Sequence, residues 1–135
     1  MIVSLQVAPQ KLAEVCEQAK SGGDFLQLEQ TIIGMDHQQL GAALAERWKF
    51  PRTCQLVAGF HHRPATLGAA MRIQSAVVHV ADILCGQAGC GFALTASQQT
   101  LDAHALSDLG IAASAVDHLR TRIPTLAAEA AAIFR

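Results

Sequence analysis

Residues 28–64 read LEQTIIGMDHQQLGAALAERWKFPRTCQLVAGFHHRP, and this stretch holds three of the six histidines and the only tryptophan of the chain. Predicted helical runs alternate here with stops at a glycine and two prolines. Each histidine falls at a helix end: His37 lies in the first turn of one helix, and the pair His61-His62 closes the next. Because helix ends can converge in space, the stretch predicts a polar cluster built from these three residues.

The rest of the chain also carries helical signals. Apolar residues recur at helical spacing, and no segment sustains a period of two, so we expect an all-α fold of about six to seven helices. Asp24 and Asp36 each stand three residues before a glutamine and are predicted N-caps, while Pro51 and Ser114 are predicted to open later helices. A long helix is expected over about residues 67–84, a loop over about 86–97, a short helix over 101–109 and a last helix through Pro124.

Several residues are expected to form the core. In the long helix the predicted inward positions are Ile73, Val77, Val80, Ala81 and Leu84. Trp48 is expected to be largely buried, and Gly41 and Ala43 to allow close approach of a neighbouring helix. In the last helix, apolar residues at a heptad-like spacing form a stripe that is either core or an association surface. Its members are Val116, Leu119, Ile123, Leu126, Ala130 and Ile133.

The bulk composition narrows the class of protein. The 135 residues are 51% hydrophobic and 16% charged, with ten basic and eleven acidic residues scattered to a net charge of −1. This size predicts one domain over residues 1–135 with a real core. Without a basic patch, and with five Phe, one Trp and no Tyr, nucleic acid is not expected as the main ligand.

The apolar start is too short for a secretion signal, and no run of residues could span a membrane. A cytoplasmic protein with four reduced cysteines is therefore expected.

The quoted stretch resembles the HD-related output domain of bacterial signalling proteins, a divergent branch of the HD metal-dependent phosphohydrolases. The residues that carry the resemblance run from Leu28-Glu29 through Gly34-x-Asp36-His37 and Trp48 to His61-His62-x-Pro64. Downstream, residues 77–84 (VVHVADIL) and 109–111 (LGI) are similar to later parts of such domains. The chain is similar to the second half of a domain, so the N-terminal helices of a complete HD-like fold are expected to be missing.

The resemblance also implies a metal site. In catalytic HD families, the positions that match His37, His61, His62 and Asp82 supply metal ligands, and imidazole with carboxylate suits zinc, iron or manganese. The His-Asp doublet that founds the two-metal site occurs nowhere in this sequence. We therefore expect no catalytic residue, and no cofactor beyond one divalent transition metal on these four residues.

Plainer interpretations of the same residues remain open. His37 could simply bond a backbone group, and the other two histidines could cap a helix C-terminus. The resemblance favours a non-catalytic signalling or interaction module whose partners are proteins, including further copies of itself. A metal-dependent phosphohydrolase acting on a nucleotide or cyclic nucleotide is the alternative, and a purely structural fragment is a third.

Overall fold

The computed structural model describes residues 8–90, 93–96 and 99–133, and these residues form helices and no strand. The prediction of an all-α fold is therefore confirmed. The chain divides into two compact units, residues 1–62 and residues 63–135. Because a domain can consist of two such units, the expectation of one domain over residues 1–135 stays a prediction. No helix in the described ranges has both the length and the hydropathy needed to cross a membrane.

The first unit contains four α-helices and one π-helical turn. They are α1 (Pro9–Lys20), α2 (Phe25–Leu28), the π turn (Glu29–Ile33), α3 (His37–Arg47) and α4 (Arg52–Phe60). α1 buries Leu12, Val15 and Ala19 along one face. Their spacing of three and four residues is the pattern from which this amphipathic helix is predicted.

Local capping chemistry sets the start of two of these helices. The Asp24 side chain accepts a hydrogen bond from the backbone N–H of Gln27 at 2.8 Å. Asp36 and Gln39 form a reciprocal capping box: the Asp36 carboxylate accepts the Gln39 N–H at 2.8 Å, and the Gln39 side chain accepts the Asp36 N–H at 3.2 Å. Both predicted N-caps are confirmed, because each carboxylate satisfies an N–H that has no partner within its helix.

The π turn was not predicted from the sequence. Gly34 follows it with φ at +102° and donates its N–H to the carbonyl of Glu29 at 3.2 Å, five residues earlier. Phe25 is buried, while Ile32 and Ile33 are only half-buried. The wider turn places Glu29 in the interior instead, with no exposed surface. Glu29 is therefore buried more deeply than the apolar residues Ile32 and Ile33 of the same turn.

α3 and α4 pack through small residues. A β-carbon added at Gly41 would lie 3.4 Å from the Ala58 side chain, and one added at Gly59 would lie 3.2 Å from the Ala42 side chain. Side chains with atoms beyond the β-carbon at these positions would push the two helices apart. The close approach predicted at Gly41 is confirmed, whereas Ala43 is exposed and has no part in it.

The predicted burial of Trp48 is wrong. Its side chain is 62% exposed, and the nearby Phe50 is 48% exposed. Trp48 is the C-cap of α3, beyond the last turn that packs against α4. Cys54 is also exposed, since Leu56 is the residue that α4 buries. Hydrophobicity alone assigned the tryptophan to the core, although it lies where the helix leaves the packed face.

The second unit is built around the longest two helices. It contains a 3-10 turn (Pro64–Thr66), α5 (Ala69–Gln87), α6 (Ala93–Ala96), α7 (Ala103–Asp108) and α8 (Ala113–Ile133). Its core joins residues of α5, α7 and α8, namely Ala76, Val80, Leu84, Ala105, Val116 and Ile123. α8 continues through Pro124. α5 extends three residues beyond its predicted end, and α6 interrupts the predicted loop, of which residues 91, 92 and 97 lie outside the described ranges.

The predicted inner face of α5 is partly wrong. Val80 and Leu84 are buried as predicted, but Ile73 is 37% exposed, Val77 is 51% exposed and Ala81 is also exposed. The buried face contains Ser75, Ala76, His79 and Ile83 in their place. Residues 76–84 are apolar at almost every position. Periodicity alone therefore could not show which face of α5 is buried.

Candidate functional site

The candidate site lies in the first unit, and the turn before α3 sets the position of its first residue, His37. Gly34 ends the π turn in a left-handed conformation, and the Asp36 capping box starts α3 two residues later. His37 is therefore the first residue of α3, as predicted. Since L-residues with a β-carbon adopt positive φ only at a cost, the glycine allows the chain to reverse within a few residues of His37.

Glu29 fixes the orientation of His37. Its Oε2 accepts the backbone N–H of His37 at 2.9 Å and also lies 2.6 Å from the ring Nδ1 of His37. A carboxylate can only accept, so Nδ1 carries the proton and donates it. When the ring is neutral, its Nε2 atom has a lone pair on the side away from Glu29. This carboxylate–imidazole pair is the arrangement that commonly orients a metal-binding histidine.

His61 and His62 approach the same point from the end of α4. The Nδ1 of His61 donates to the carbonyls of Val57 and Ala58, at 3.1 and 3.2 Å, so its Nε2 is the ring atom that could bind a metal. His62 is 8% exposed, and its backbone N–H donates to the Gln38 side-chain oxygen at 3.0 Å. Predicted capping of the helix end by His61 is thus confirmed, but capping uses only one nitrogen of that ring.

The three rings form one cluster. The Nε2 atoms of His37 and His62 are 2.9 Å apart, and the ring centroids of His61 and His62 are 4.1 Å apart. One ligand atom from each of the three histidines can be chosen so that all lie within 4.8 Å of one another. Nitrogen ligands of a tetrahedral zinc ion lie about 3.3 Å from one another, given a zinc–nitrogen bond of about 2.0 Å. The cluster is therefore close to the size of a mononuclear site.

Two buried polar atoms beside the cluster support the fit of a polar ligand. Glu29 Oε1 and Gln38 Nε2 have no hydrogen-bond partner among the described residues. Both belong to side chains that hold the cluster, one behind His37 and the other at the backbone of His62. Buried polar atoms are normally satisfied, so this environment suits a charged or strongly polar guest better than an apolar one.

The donor set points to one kind of metal. Three imidazole nitrogens are ligands for zinc, nickel or another divalent transition ion, and they are poor ligands for magnesium or calcium, which prefer oxygen. His37, His61 and His62 would hold such an ion. A metal bound there would act as a Lewis acid on a fourth ligand such as water. Whether the site takes up metal stays a prediction.

The other predicted ligand lies in the second unit. Asp82 is half-buried on α5, and its place in a metal site with the three histidines stays a prediction. His79, three residues earlier on α5, is 3% exposed, and its Nε2 accepts the backbone N–H of Asp102 at 3.2 Å. His104 and His118 are exposed.

Glu29 and Gln38 are the residues of the site that the sequence did not predict. Both are fully buried, although charged and amide side chains usually remain in water unless they are paired. The sequence holds only weak signals for these two residues. Glu29 directly follows the apolar Leu28, and Gln38 adjoins His37. Neither feature indicates contact with a histidine 24 residues away, which is the separation of Gln38 from His62.

Comparison with known proteins supports the resemblance drawn from the sequence. Residues 1–64 match the family model of the HDOD domain, the HD-related output domain. The match includes Glu29 and all three histidines of the cluster, and the resemblance is confirmed over this part of the chain. No curated protein and no solved structure matches the chain at the significance required.

Proposed function

We propose that the chain is a non-catalytic signalling or regulatory module of the HD-related output type, which acts in the cytoplasm through contacts with other proteins. The family match over residues 1–64 supports a module of the output class. The observation that carries the non-catalytic part is the position of Glu29. Its carboxylate lies behind His37, on the Nδ1 side, rather than beside the Nε2 atoms.

That position limits the chemistry of the cluster. Two-metal hydrolysis requires anionic ligands that hold two cations a few ångströms apart and a clamp on the phosphoryl oxygens. Among the described residues of the first unit, the ligand atoms of the cluster are three imidazole nitrogens, and the His-Asp doublet is missing from the sequence. Such a set suits a single divalent ion with a structural or sensing role.

The alternative is a metal-dependent phosphohydrolase acting on a nucleotide or cyclic nucleotide. The observation in its favour is the Glu29–His37 pair itself, because catalytic zinc sites also combine three protein ligands with a carboxylate behind a histidine. His37, His61 and His62 would hold such an ion and leave it able to bind water or a substrate. The enzyme therefore remains a second candidate, which activity measurements can separate from the first.

The test combines metal analysis with activity. The purified chain is assayed with zinc, nickel, manganese, iron or magnesium against a phosphomonoester and a cyclic dinucleotide. We expect one equivalent of zinc or nickel to bind, with no turnover above background. His37→Ala should abolish metal binding, whereas the matched variant His118→Ala, on the exposed face of α8, should retain it. Turnover that requires metal and disappears in His37→Ala but not in His118→Ala would establish the enzyme instead.

A further inference from the structure

A second surface of the first unit combines exposed aromatic and basic side chains. Residues 47–52 read RWKFPR, so the expectation of scattered charges does not hold for this segment. The rings of Trp48 and Phe50 lie 6.3 Å apart between centroids, with a 51° angle between their planes. Exposed neighbouring aromatics are rare on free surfaces and common where proteins meet partners.

The backbone between the two aromatic residues is strained. Lys49 has φ at +57° and is the one residue other than glycine with a positive φ in the described ranges. Its N–H donates to the Glu46 carbonyl at 2.9 Å, and the N–H of Phe50 donates to the Ala45 carbonyl at 2.8 Å. These two bonds define a helix C-terminal motif in which glycine is the favoured residue at the position of Lys49. A lysine that holds this strained position suggests a use for its side chain.

The aromatic pair borders an apolar cleft. The cleft has a volume of about 340 Å³, and its walls include Leu44, Ala45 and Ala58 besides the two aromatic rings. No charged residue lines it. A space of this size and chemistry accommodates one large aliphatic or aromatic side chain.

Basic residues adjoin the two aromatic residues of the cleft in the sequence. Arg47, Lys49 and Arg52 are all exposed. Arg47 and Lys49 form no ion pair with any residue in the described part of the chain, and Arg52 bonds the neutral side chain of Gln55 at 3.1 Å. Residues 46–52 hold these three cations and one exposed acidic residue, Glu46, so the segment is net positive although the chain as a whole has a net charge of −1. The charge of this segment is therefore complementary to carboxylates.

We propose that this cleft docks an acidic segment of a partner protein, which places one apolar side chain between Trp48 and Phe50 and its carboxylates against Arg47, Lys49 and Arg52. The proposal rests on the proposed function, since it assigns a contact surface to the interaction module. A peptide fits better than nucleic acid, because the apolar walls offer no polar group to a base edge and three cations neutralise few phosphates.

Trp48 supplies a selective probe of this surface. It is the only tryptophan in the chain, so fluorescence excited in the tryptophan band reports on the cleft alone. The full chain is titrated with a short peptide that has a central phenylalanine flanked by glutamates and contains no tryptophan or tyrosine. We expect a saturable blue shift of the emission that weakens as salt is added. Peptides with lysines for the glutamates, or serine for the phenylalanine, should bind at least about tenfold more weakly.

Matched variants localise the binding. Arg47→Glu should weaken the glutamate peptide about tenfold, while Lys11→Glu, an equal charge change on the exposed face of α1, should leave it unchanged. Lys49→Gly should weaken binding while raising the thermal midpoint, because the strain at this residue is relieved. Weaker peptide binding in a more stable variant would show that a contact with the peptide is lost while the fold is kept.

Three results would overturn the proposal. The first is no saturable shift with the glutamate peptide, the second is equal weakening by Arg47→Glu and Lys11→Glu, and the third is tighter binding of a single-stranded oligonucleotide than of the peptide. The last would assign the surface to nucleic acid. None of them bears on the metal and activity assays, so failure of this docking site is distinguishable from failure of the regulatory role.

Discussion

The buried carboxylate of Glu29 accepts two hydrogen bonds from His37, one from the backbone N–H and one from the ring Nδ1. It thereby joins the π turn to the start of α3 and sets which nitrogen of His37 faces the other two histidines. Glu29 is a positioning residue, because its bonded oxygen lies on the far side of the imidazole from the Nε2 atom that meets His62.

Replacing Glu29 should affect both stability and metal affinity. Glu29→Ala removes the acceptor for two buried donors, so we expect the free energy of unfolding to fall by about 2–3 kcal/mol in urea titrations. Glu29→Gln keeps the shape and one acceptor, and it should weaken zinc or nickel binding by about 10- to 100-fold with a smaller loss of stability. Glu46→Ala, an exposed glutamate of α3, should change neither quantity. Unaltered metal affinity in Glu29→Gln would contradict the positioning role.

Because Trp48 is exposed, its replacement should lower the free energy of unfolding only slightly. Because 62% of the residue is already in water, Trp48→Ala should lower the free energy of unfolding by less than about 1 kcal/mol. Phe25→Ala is the matched core change, since Phe25 is 3% exposed, and it should cost about 3–5 kcal/mol. Chemical denaturation of both variants measures the difference. Equal losses would show that Trp48 is buried after all.

The turn before His37 should be sensitive to a single methyl group. Gly34 has φ at +102°, and no atom lies within 4 Å of an added β-carbon, so Gly34→Ala adds backbone strain without a steric clash. We expect a loss of about 1–2 kcal/mol in the free energy of unfolding. Gly41→Ala is the control, because the helix interior favours alanine by up to about 1 kcal/mol and the new contact to Ala58 is ordinary at 3.4 Å. A larger loss at Gly41 than at Gly34 would contradict this assignment of the strain.

In the second unit, acid should weaken the link between α5 and α7. The guanidinium of Arg72 donates two hydrogen bonds to the Asp108 carboxylate, one of them from Nη2 to Oδ1 at 2.8 Å. These bonds hold the pKa of Asp108 below its ordinary value of 3.8. At low pH the unfolded chain then binds more protons, so the contribution to stability is present above pH 3.8 and is lost as pH falls through the lowered pKa of the folded state.

Asp108→Asn tests this pH dependence. The variant should be less stable than the parent at neutral pH, and the difference should shrink as pH falls below about 4, as measured by urea unfolding at a series of pH values. The control is Asp117→Asn, which disrupts an exposed pair with Arg120 on a single helix and should change stability little. A difference that stays constant down to about pH 2 would contradict the expected linkage.

The exposed end of α8 should mediate self-association. Val116 and Ile123 of the heptad-like stripe are buried, but Leu126 is 40% exposed and Ile133 is 79% exposed. Leu126 also lines an apolar cavity of about 570 Å³ between α5 and α8. Apolar surface of this extent usually finds a partner, so we expect a dimer or larger oligomer at micromolar concentration in light scattering. Leu126→Glu should favour the monomer, whereas Thr125→Glu should not. A monomer at every concentration would contradict the prediction.

Local sequence determined the start or end of several helices. Asp24, Asp36 and Gly34 act on backbone groups within a few residues of themselves, so their effect follows from the sequence around them. The positions of His37, His61 and His62 at helix ends were predictable for the same reason. The family resemblance depended on these local features too, and it is confirmed over residues 1–64.

Tertiary packing decided which residues are buried and which polar groups meet. The π turn moved Glu29 inward, and the end of α3 left Trp48 outside, although hydrophobicity indicated the opposite for both. On α5, apolar residues surround the helix, so the inner face was selected by α7 and α8 rather than by periodicity. Burial depends on contacts between residues distant in the chain, and the contact of Gln38 with His62 spans 24 residues. Local propensity carries no information over that distance, and the support of the histidine cluster is therefore a property of the folded unit.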